Sequence, residues 1–282
     1  MPDNTISPTR ESPAKTAAWY EGIVSVASVR GHHRVVHAAL EQAVRWGLVA
    51  RNVADAVEQP KMEKKREMRA LSTEEVQRFF DVAYRESRHP ELYVLAVTTG
   101  MRQRELLALR WQDIEPPVAY VRQALTKAGP NPVFAAPKAQ RGVREVWLPA
   151  SALEALETVR VRQQAEKSVA GDRYEDYNLV FAQDNGRPLD AHNISQREFK
   201  RLLSLAGLPD MRFHDLRHTN ATLLLEAGIP AKVVSERLGH SGVGITLDTY
   251  SHVLPSMQEQ AARKLAEMLF GSHGNGEKQR AL

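Results

Sequence analysis

The chain has 282 residues, 43% of them hydrophobic, which suits one large domain, alone or with a partial second, and excludes a largely disordered chain. It contains no cysteine, which excludes disulfide scaffolds, thiolate zinc sites and cysteine nucleophiles. A net charge of +4 is compatible with an anionic partner without requiring one, and no apolar run approaches the length of a membrane span.

Residues 1–15 are rich in Pro, Ser and Thr and read as a disordered leader, polar rather than signal-like, so a cytoplasmic location is expected. Over 28–46, Val36, Leu40, Ala43 and Val44 recur at helical spacing, and Gly47 ends that helix. Asn52 followed by Asp55 marks the start of a second short helix. Residues 61–70 form a basic linker in which Lys61, Lys64, Lys65, Arg66 and Arg69 outnumber Glu63 and Glu67. Such a stretch is either a solvated tether or a strand laid along a phosphate backbone.

Ser72 and Glu75 form a capping box that opens a helix through Phe79, Phe80 and Val82, stopping near His89-Pro90. An apolar helix over 92–97 runs into Thr98-Thr99-Gly100, and another carries Leu106, Leu107 and Leu109. From Pro116 the period changes to two, and 118–125, 132–136 and 143–148 read as strands. Ser151 with Glu154 is expected to cap the next helix. A short strand over 179–181 and the turn Asp184-Asn185-Gly186 follow. Helices are then expected over 192–205, 214–226, 230–238 and 244–253. A last amphipathic helix over 255–270 carries Ala261, Leu265 and Met268 on one face. The fold class is mainly α (α+β): a helical domain from about residue 70 with a small inserted antiparallel sheet.

Certain stretches offer chemistry. In Thr99-Gly100-Met101-Arg102, glycine frees the backbone to turn sharply, so Arg102 leaves an apolar neighbourhood, and Glu105 can orient it. The plainer reading is a surface arginine after a helix end. Lys138, between two expected strands, is either a solubilising hairpin residue or a mobile ammonium delivered to a phosphate, with Arg141 beside it as a candidate DNA contact. His214 and Arg217, three apart, share a helix face. His218, four from His214, raises a zinc pair, but Asp215 stands where a metalloprotease needs Glu and Arg217 would sit beside a dication, so no metal is expected. Tyr250, ten residues after His240, is either a core residue or a nucleophile. Its phenol, with an ordinary pKa of about 10, needs a base or strongly positive surroundings to attack. A phenol beside imidazoles and arginine suits attack on a phosphate.

Taken in order, Thr-Gly-Met-Arg at 99–102, Lys138, His-Asp-Leu-Arg-His-Thr at 214–219, Leu-Gly-His-Ser at 238–241 and Thr-Tyr-Ser-His at 249–252 resemble the tyrosine recombinases, or phage integrases. The resemblance implies a catalytic domain over 71–254. It puts Arg102, Lys138, His214, Arg217 and His240 in activating positions, Glu105 in support, and Tyr250 as nucleophile. The implied activity is site-specific cleavage and rejoining of double-stranded DNA through a 3′-phosphotyrosyl intermediate, without a cofactor, for integration or excision of a mobile element or phage. The implied assembly is a homo-tetramer on two duplexes, joined by exchange of the C-terminal helix in 255–282, at the bacterial nucleoid. A DNA-binding regulator that kept the fold and lost the chemistry is the alternative.

Two departures stand out. Arg104 occupies a position where the family usually has a small residue, beside Arg102. Residues 16–60 read as a partial core-binding domain, in which 31–60 look like only the last two of the family's helices, so weak, salt-sensitive DNA binding by this chain alone is expected.

Overall fold

A computed structural model describes residues 24–61, 69–136, 143–250 and 254–270, and divides into two compact units, residues 1–67 and 68–282. In the first unit, α1 (Val26–Arg45) starts at Ser25, whose hydroxyl accepts from the Ser28 amide at 3.2 Å. None of its residues is buried, and Val36, on the apolar stripe, is 53% exposed. The expected second helix is a single 3-10 turn, Val53–Ala56. Asn52 caps it, accepting from the Ala54 amide at 3.0 Å and donating to the His37 carbonyl at 3.1 Å.

The second unit opens with α2 (Thr73–Glu86), where the capping box forms: the Glu75 amide donates to Ser72 Oγ at 3.2 Å and the Ser72 amide to Glu75 Oε2 at 3.1 Å. α3 (Pro90–Thr99) follows, then the single turn α4 (Gln103–Leu106) and a 3-10 turn, Trp111–Asp113. The strands are β1 (Ile114–Glu115), β2 (Val118–Val121), β3 (Ala124–Lys127), β4 (Val133–Ala135) and β5 (Arg144–Trp147). They form two antiparallel sheets, one in the order β1-β2-β5 and the other pairing β3 with β4. The expected strand over 118–125 is therefore broken. Arg122 turns to Asp113 at 3.0 Å and Gln123 to the Ala108 carbonyl at 2.9 Å, and these bonds divert the chain between the sheets.

α5 (Ala150–Ala170) follows β5 with Pro149 at its N-cap, so Ser151 lies inside the first turn and no side chain caps the helix. The expected strand over 179–181 is reduced to one bridge between Leu179 and Arg110, because the Leu179 and Val180 carbonyls accept from Gln163 at 3.0 and 2.8 Å. The helix expected over 192–205 begins as a π-turn, Asn193–Glu198, before α6 (Phe199–Leu205). α7 (Asp215–Glu226), α8 (Ala231–Leu238), α9 (Val243–Tyr250) and α10 (Leu254–Phe270) complete the unit. In α10, Leu265 and Met268 are 57% and 81% exposed. Among the described residues no helix is long and apolar enough to cross a membrane.

α3 is apolar all round, as a helix must be when neighbours surround it. It packs against α2, α5 and α7. Tyr93 on α3 meets Phe79 edge-on at 5.3 Å and Phe199 in a stack at 6.0 Å, and Phe213 packs on both Tyr93 and Phe199. Glu91, buried in the same helix, is neutralised by a two-pronged bond from Arg162 at 3.0 Å on each oxygen. The mainly helical class with small antiparallel strands holds.

His89, at the N-cap of α3, is 5% exposed and its Nδ1 has no hydrogen-bond partner. Burial first, then the charges of Arg162 and Arg88, hold its pKa down at about 3, against an ordinary 6.5. Between those values the unfolded chain binds a proton that the folded chain refuses, so stability is lost as pH falls. Acidification from pH 7 to pH 5 should cost about 2 kcal/mol at this residue. Denaturant titrations at the two pH values measure it, and His89→Gln should flatten that part of the slope.

Candidate active site

The site is built around the end of α3. Gly100 takes a left-handed conformation there, with φ of 64°. A Cβ on it would lie 2.5 Å from Leu238 Cδ2 and 2.7 Å from Asn220 Oδ1, so only glycine lets α3 end against α7 and α8. This turn presents the Gly100 carbonyl to Arg217. Arg217 is 3% exposed and donates through Nη1 to Gly100 at 2.8 Å and through Nη2 to the Leu238 carbonyl at 2.6 Å. Burial, followed by the charges of Arg102 and Arg144, lowers its pKa to about 9, which leaves it cationic at neutral pH. An incoming anion would relieve that repulsion.

Arg102 leads into α4. Its amide donates to Glu105 Oε2 at 2.8 Å, its Nη1 to Oε1 at 2.9 Å, and its Nη2 to the Gly239 carbonyl at 3.4 Å. Glu105 is 5% exposed and also accepts from Arg144 Nη2 at 2.8 Å and Nη1 at 3.2 Å. Burial alone would raise the Glu105 pKa, but the bonds and charge of Arg144, then the bonds of Arg102, outweigh it and hold the carboxylate below its ordinary range. Arg144 Nε donates onward to the Arg237 carbonyl at 2.9 Å. The left-handed Gly239 makes room for this, since a Cβ there would lie 2.9 Å from Arg144 Cδ. One buried carboxylate thus ties β5, α4 and the end of α8 together. Arg144 was not singled out in the sequence; its one signal is an arginine opening a strand whose next residues alternate toward the core. Arg104 is exposed.

His240 follows Gly239, and its Nδ1 shares a hydrogen bond with buried Thr246 Oγ1 at 2.8 Å. Burial, then Arg217 and Arg102, lowers its pKa to about 4. His214, the N-cap residue of α7, is exposed to solvent. Lost hydration around the ring, then His218 and Arg217, bring its pKa to about 4 as well. Both rings are neutral at pH 7, so each offers one N–H donor. Asp215 is engaged locally by Arg212, at 3.1 Å.

Tyr250 ends α9 with its ring packed among Ala221, Leu225, Val234 and Leu238, and it is 2% exposed. Its hydroxyl lies 2.7 Å from Nδ1 of His218. Burial raises the phenol pKa to about 12, partly offset by the Arg217 charge. His218 in turn stands edge-on to His214, with ring centroids 5.1 Å apart. In the sequence His218 stood within the 214–219 motif without a role of its own and was weighed as a zinc partner for His214; in the structure it contacts the phenol. Lys138 and Arg141 lie outside the described residues.

Arg102, Glu105, His214, Arg217, His240 and Tyr250 are thus gathered from segments on either side of the strands. Arg217 has five N–H donors, of which two hydrogen bonds to carbonyls use only part. The cluster is suited to an anionic group with several oxygens.

Residues 69–257 match the model of the phage integrase family. A tyrosine recombinase XerC-like protein of Caldanaerobacter subterraneus subsp. tengcongensis is 35% identical over 216 residues, covering 72% of this chain and 55% of that protein. An integrase of Streptomyces ambofaciens is 30% identical over 253 residues, covering 84% and 63%. The chain therefore spans between about half and two thirds of these relatives. Among solved structures, the Tn1549 transposon integrase in complex with a circular intermediate DNA superposes with a TM-score of 0.75 at 21% identity, over 90% of this chain and 84% of that one. A lambda integrase dimer bound to a COC′ core site gives 0.58 at 23% identity, over 84% and 63%. At such identities the likeness is one of fold.

Proposed function

The chain belongs to the phage integrase family, and from that premise we propose that its second unit cuts and rejoins double-stranded DNA by tyrosine transesterification. The observation that carries this reading is the meeting of the Arg102, Arg217, His214 and His240 side chains with a buried phenol around the Gly100 turn. In this reading Tyr250 attacks a backbone phosphodiester, forms a 3′-phosphotyrosyl ester and releases a 5′-hydroxyl. Charge grows on the non-bridging oxygens as phosphorus becomes five-coordinate, and Arg102 and Arg217 present planar, paired donors to it. Each such donor contributes about 3–4 kcal/mol of barrier lowering. His214 and His240, neutral at pH 7, add N–H donors to the same oxygens. Lys138 supplies the proton to the departing 5′-oxygen, and Glu105 orients Arg102.

Because one ester replaces another, the phosphotyrosine retains the bond energy, and the 5′-hydroxyl of a second duplex reverses the step to complete strand exchange. Two duplexes call for four protomers. The exposed face of α10, with Leu265, Met268 and Phe270 open to solvent, is the element assigned to dock on a neighbour. Residues 16–60 act as a partial core-binding domain and 61–70 as the linker along the backbone. Integration or excision of a mobile element is the biological setting that follows.

The test is a pool of nicked suicide duplexes of randomised sequence, in which cleavage releases a short strand and makes the adduct irreversible. The protein should remain attached to DNA through boiling in detergent. Tight binding with no covalent adduct would replace this reading with that of a DNA-binding regulator.

A further inference from the structure

We propose that His218 is the base that takes the phenol proton from Tyr250 during attack, an inference that rests on the function proposed above. The geometry carries it. The Tyr250 hydroxyl lies 2.7 Å from Nδ1 of His218, inside the range for direct proton transfer. The Tyr250 ring is enclosed by Ala221, Leu225, Val234 and Leu238, so bulk water is a poor substitute acceptor. His218 sits on α7 one turn after His214, whose ring meets it edge-on at 5.1 Å. Among the described residues, the charged or titratable groups close to this pair include Asp215 and Arg217 on the same helix, Arg102 before α4, and His240 from the loop before α9.

The chemistry requires an acceptor at this position. With the phenol pKa at about 12, about one molecule in 10⁵ is ionised at pH 7, so attack without a base would draw on a vanishing population. His214 and His240, each held at about 4, are weak bases and serve better as N–H donors. In the neutral Nε2–H tautomer, His218 accepts the phenol O–H at Nδ1. As the bond from the Tyr250 oxygen to phosphorus forms, the O–H bond breaks and its proton passes to Nδ1. The phosphorus–O5′ bond breaks, its electron pair leaves on the 5′-oxygen, and that oxygen takes a proton from the general acid. In the rejoining step a 5′-hydroxyl attacks and gives its proton to the conjugate base of the general acid, the bond from phosphorus to the Tyr250 oxygen breaks, and the imidazolium of His218 returns its proton to the departing phenolate.

The test uses the full chain on suicide duplexes taken from the trapping selection, made with either an oxygen or a sulfur at the bridging 5′ position. A thiolate leaves without protonation, so the sulfur duplex reads the nucleophile's side of the reaction alone. His218→Ala should slow adduct formation about a hundredfold or more on both duplexes, and added imidazole should restore part of the rate. Adduct formation by His218→Ala at the parent rate, or a loss that imidazole does not restore in a folded, DNA-binding variant, would overturn the assignment. Nitrogen NMR of the parent protein gives a second check that needs no substitution: Nδ1 of His218 should be unprotonated, and finding the proton there would also overturn it. If the parent forms adducts and His218→Ala matches it, this inference alone fails. If the parent forms none on either duplex, the underlying function fails and the inference with it.

Discussion

Tyr250→Phe is expected to abolish covalent protein–DNA adducts while leaving DNA affinity at the parent level. The substitution removes one oxygen and leaves the ring among Ala221, Leu225, Val234 and Leu238. The structural loss is the bond to His218 at 2.7 Å, worth about 1 kcal/mol, so the variant should fold and bind. Its guanidinium groups stay in place, since Arg217 is held by the carbonyls of Gly100 and Leu238 rather than by the phenol. Trapping on the suicide duplexes, with binding measured in parallel by a mobility shift, separates chemistry from recognition. Adducts persisting in this variant would remove Tyr250 from the nucleophile's role.

The second large effect is expected from Glu105→Gln. This carboxylate is the shared acceptor for Arg102 and Arg144, and the Arg144 side chain is only 6% exposed. Removing its charge takes this anion away from a buried guanidinium, which typically costs about 3–5 kcal/mol of folding stability. Arg102, freed from its anchor, should also lose its aim, with adduct formation falling about a hundredfold. Denaturant unfolding reads the first effect and trapping the second. The double variant Glu105→Gln, Arg144→Gln should regain part of the stability, because the buried cation has gone with the anion, without regaining activity. A single-variant loss below about 1 kcal/mol would show that the buried carboxylate does not organise the site.

These cases also mark what the sequence made readable. Helix ends announced themselves wherever the signal was local: Ser72 with Glu75 at α2, Asn52 at the 3-10 turn, and Gly100 at the end of α3. Local signals lost wherever a neighbour intervened. Pro149 took the cap position from Ser151, and Arg122 and Gln123 left the expected strand to bond Asp113 and the Ala108 carbonyl. Gln163 took the carbonyls that a strand at 179–181 would have paired. In the site, Arg102, His214, Arg217, His240 and Tyr250 were legible as residue types suited to phosphate chemistry. Their supports were not. Arg144 reaches Glu105 across 39 positions and His218 reaches Tyr250 across 32, and no periodicity reports a contact of that kind. His218 was obscured for a further reason, since its spacing from His214 resembles a metal pair while its bond is to a phenol.

The most direct measurement is to digest the adduct trapped by the unmodified chain and identify the attached peptide by mass spectrometry. The mechanism predicts a DNA 3′-phosphate esterified to Tyr250, with a free 5′-hydroxyl on the released strand. Attachment through any other residue, or through a 5′-phosphate, would contradict it.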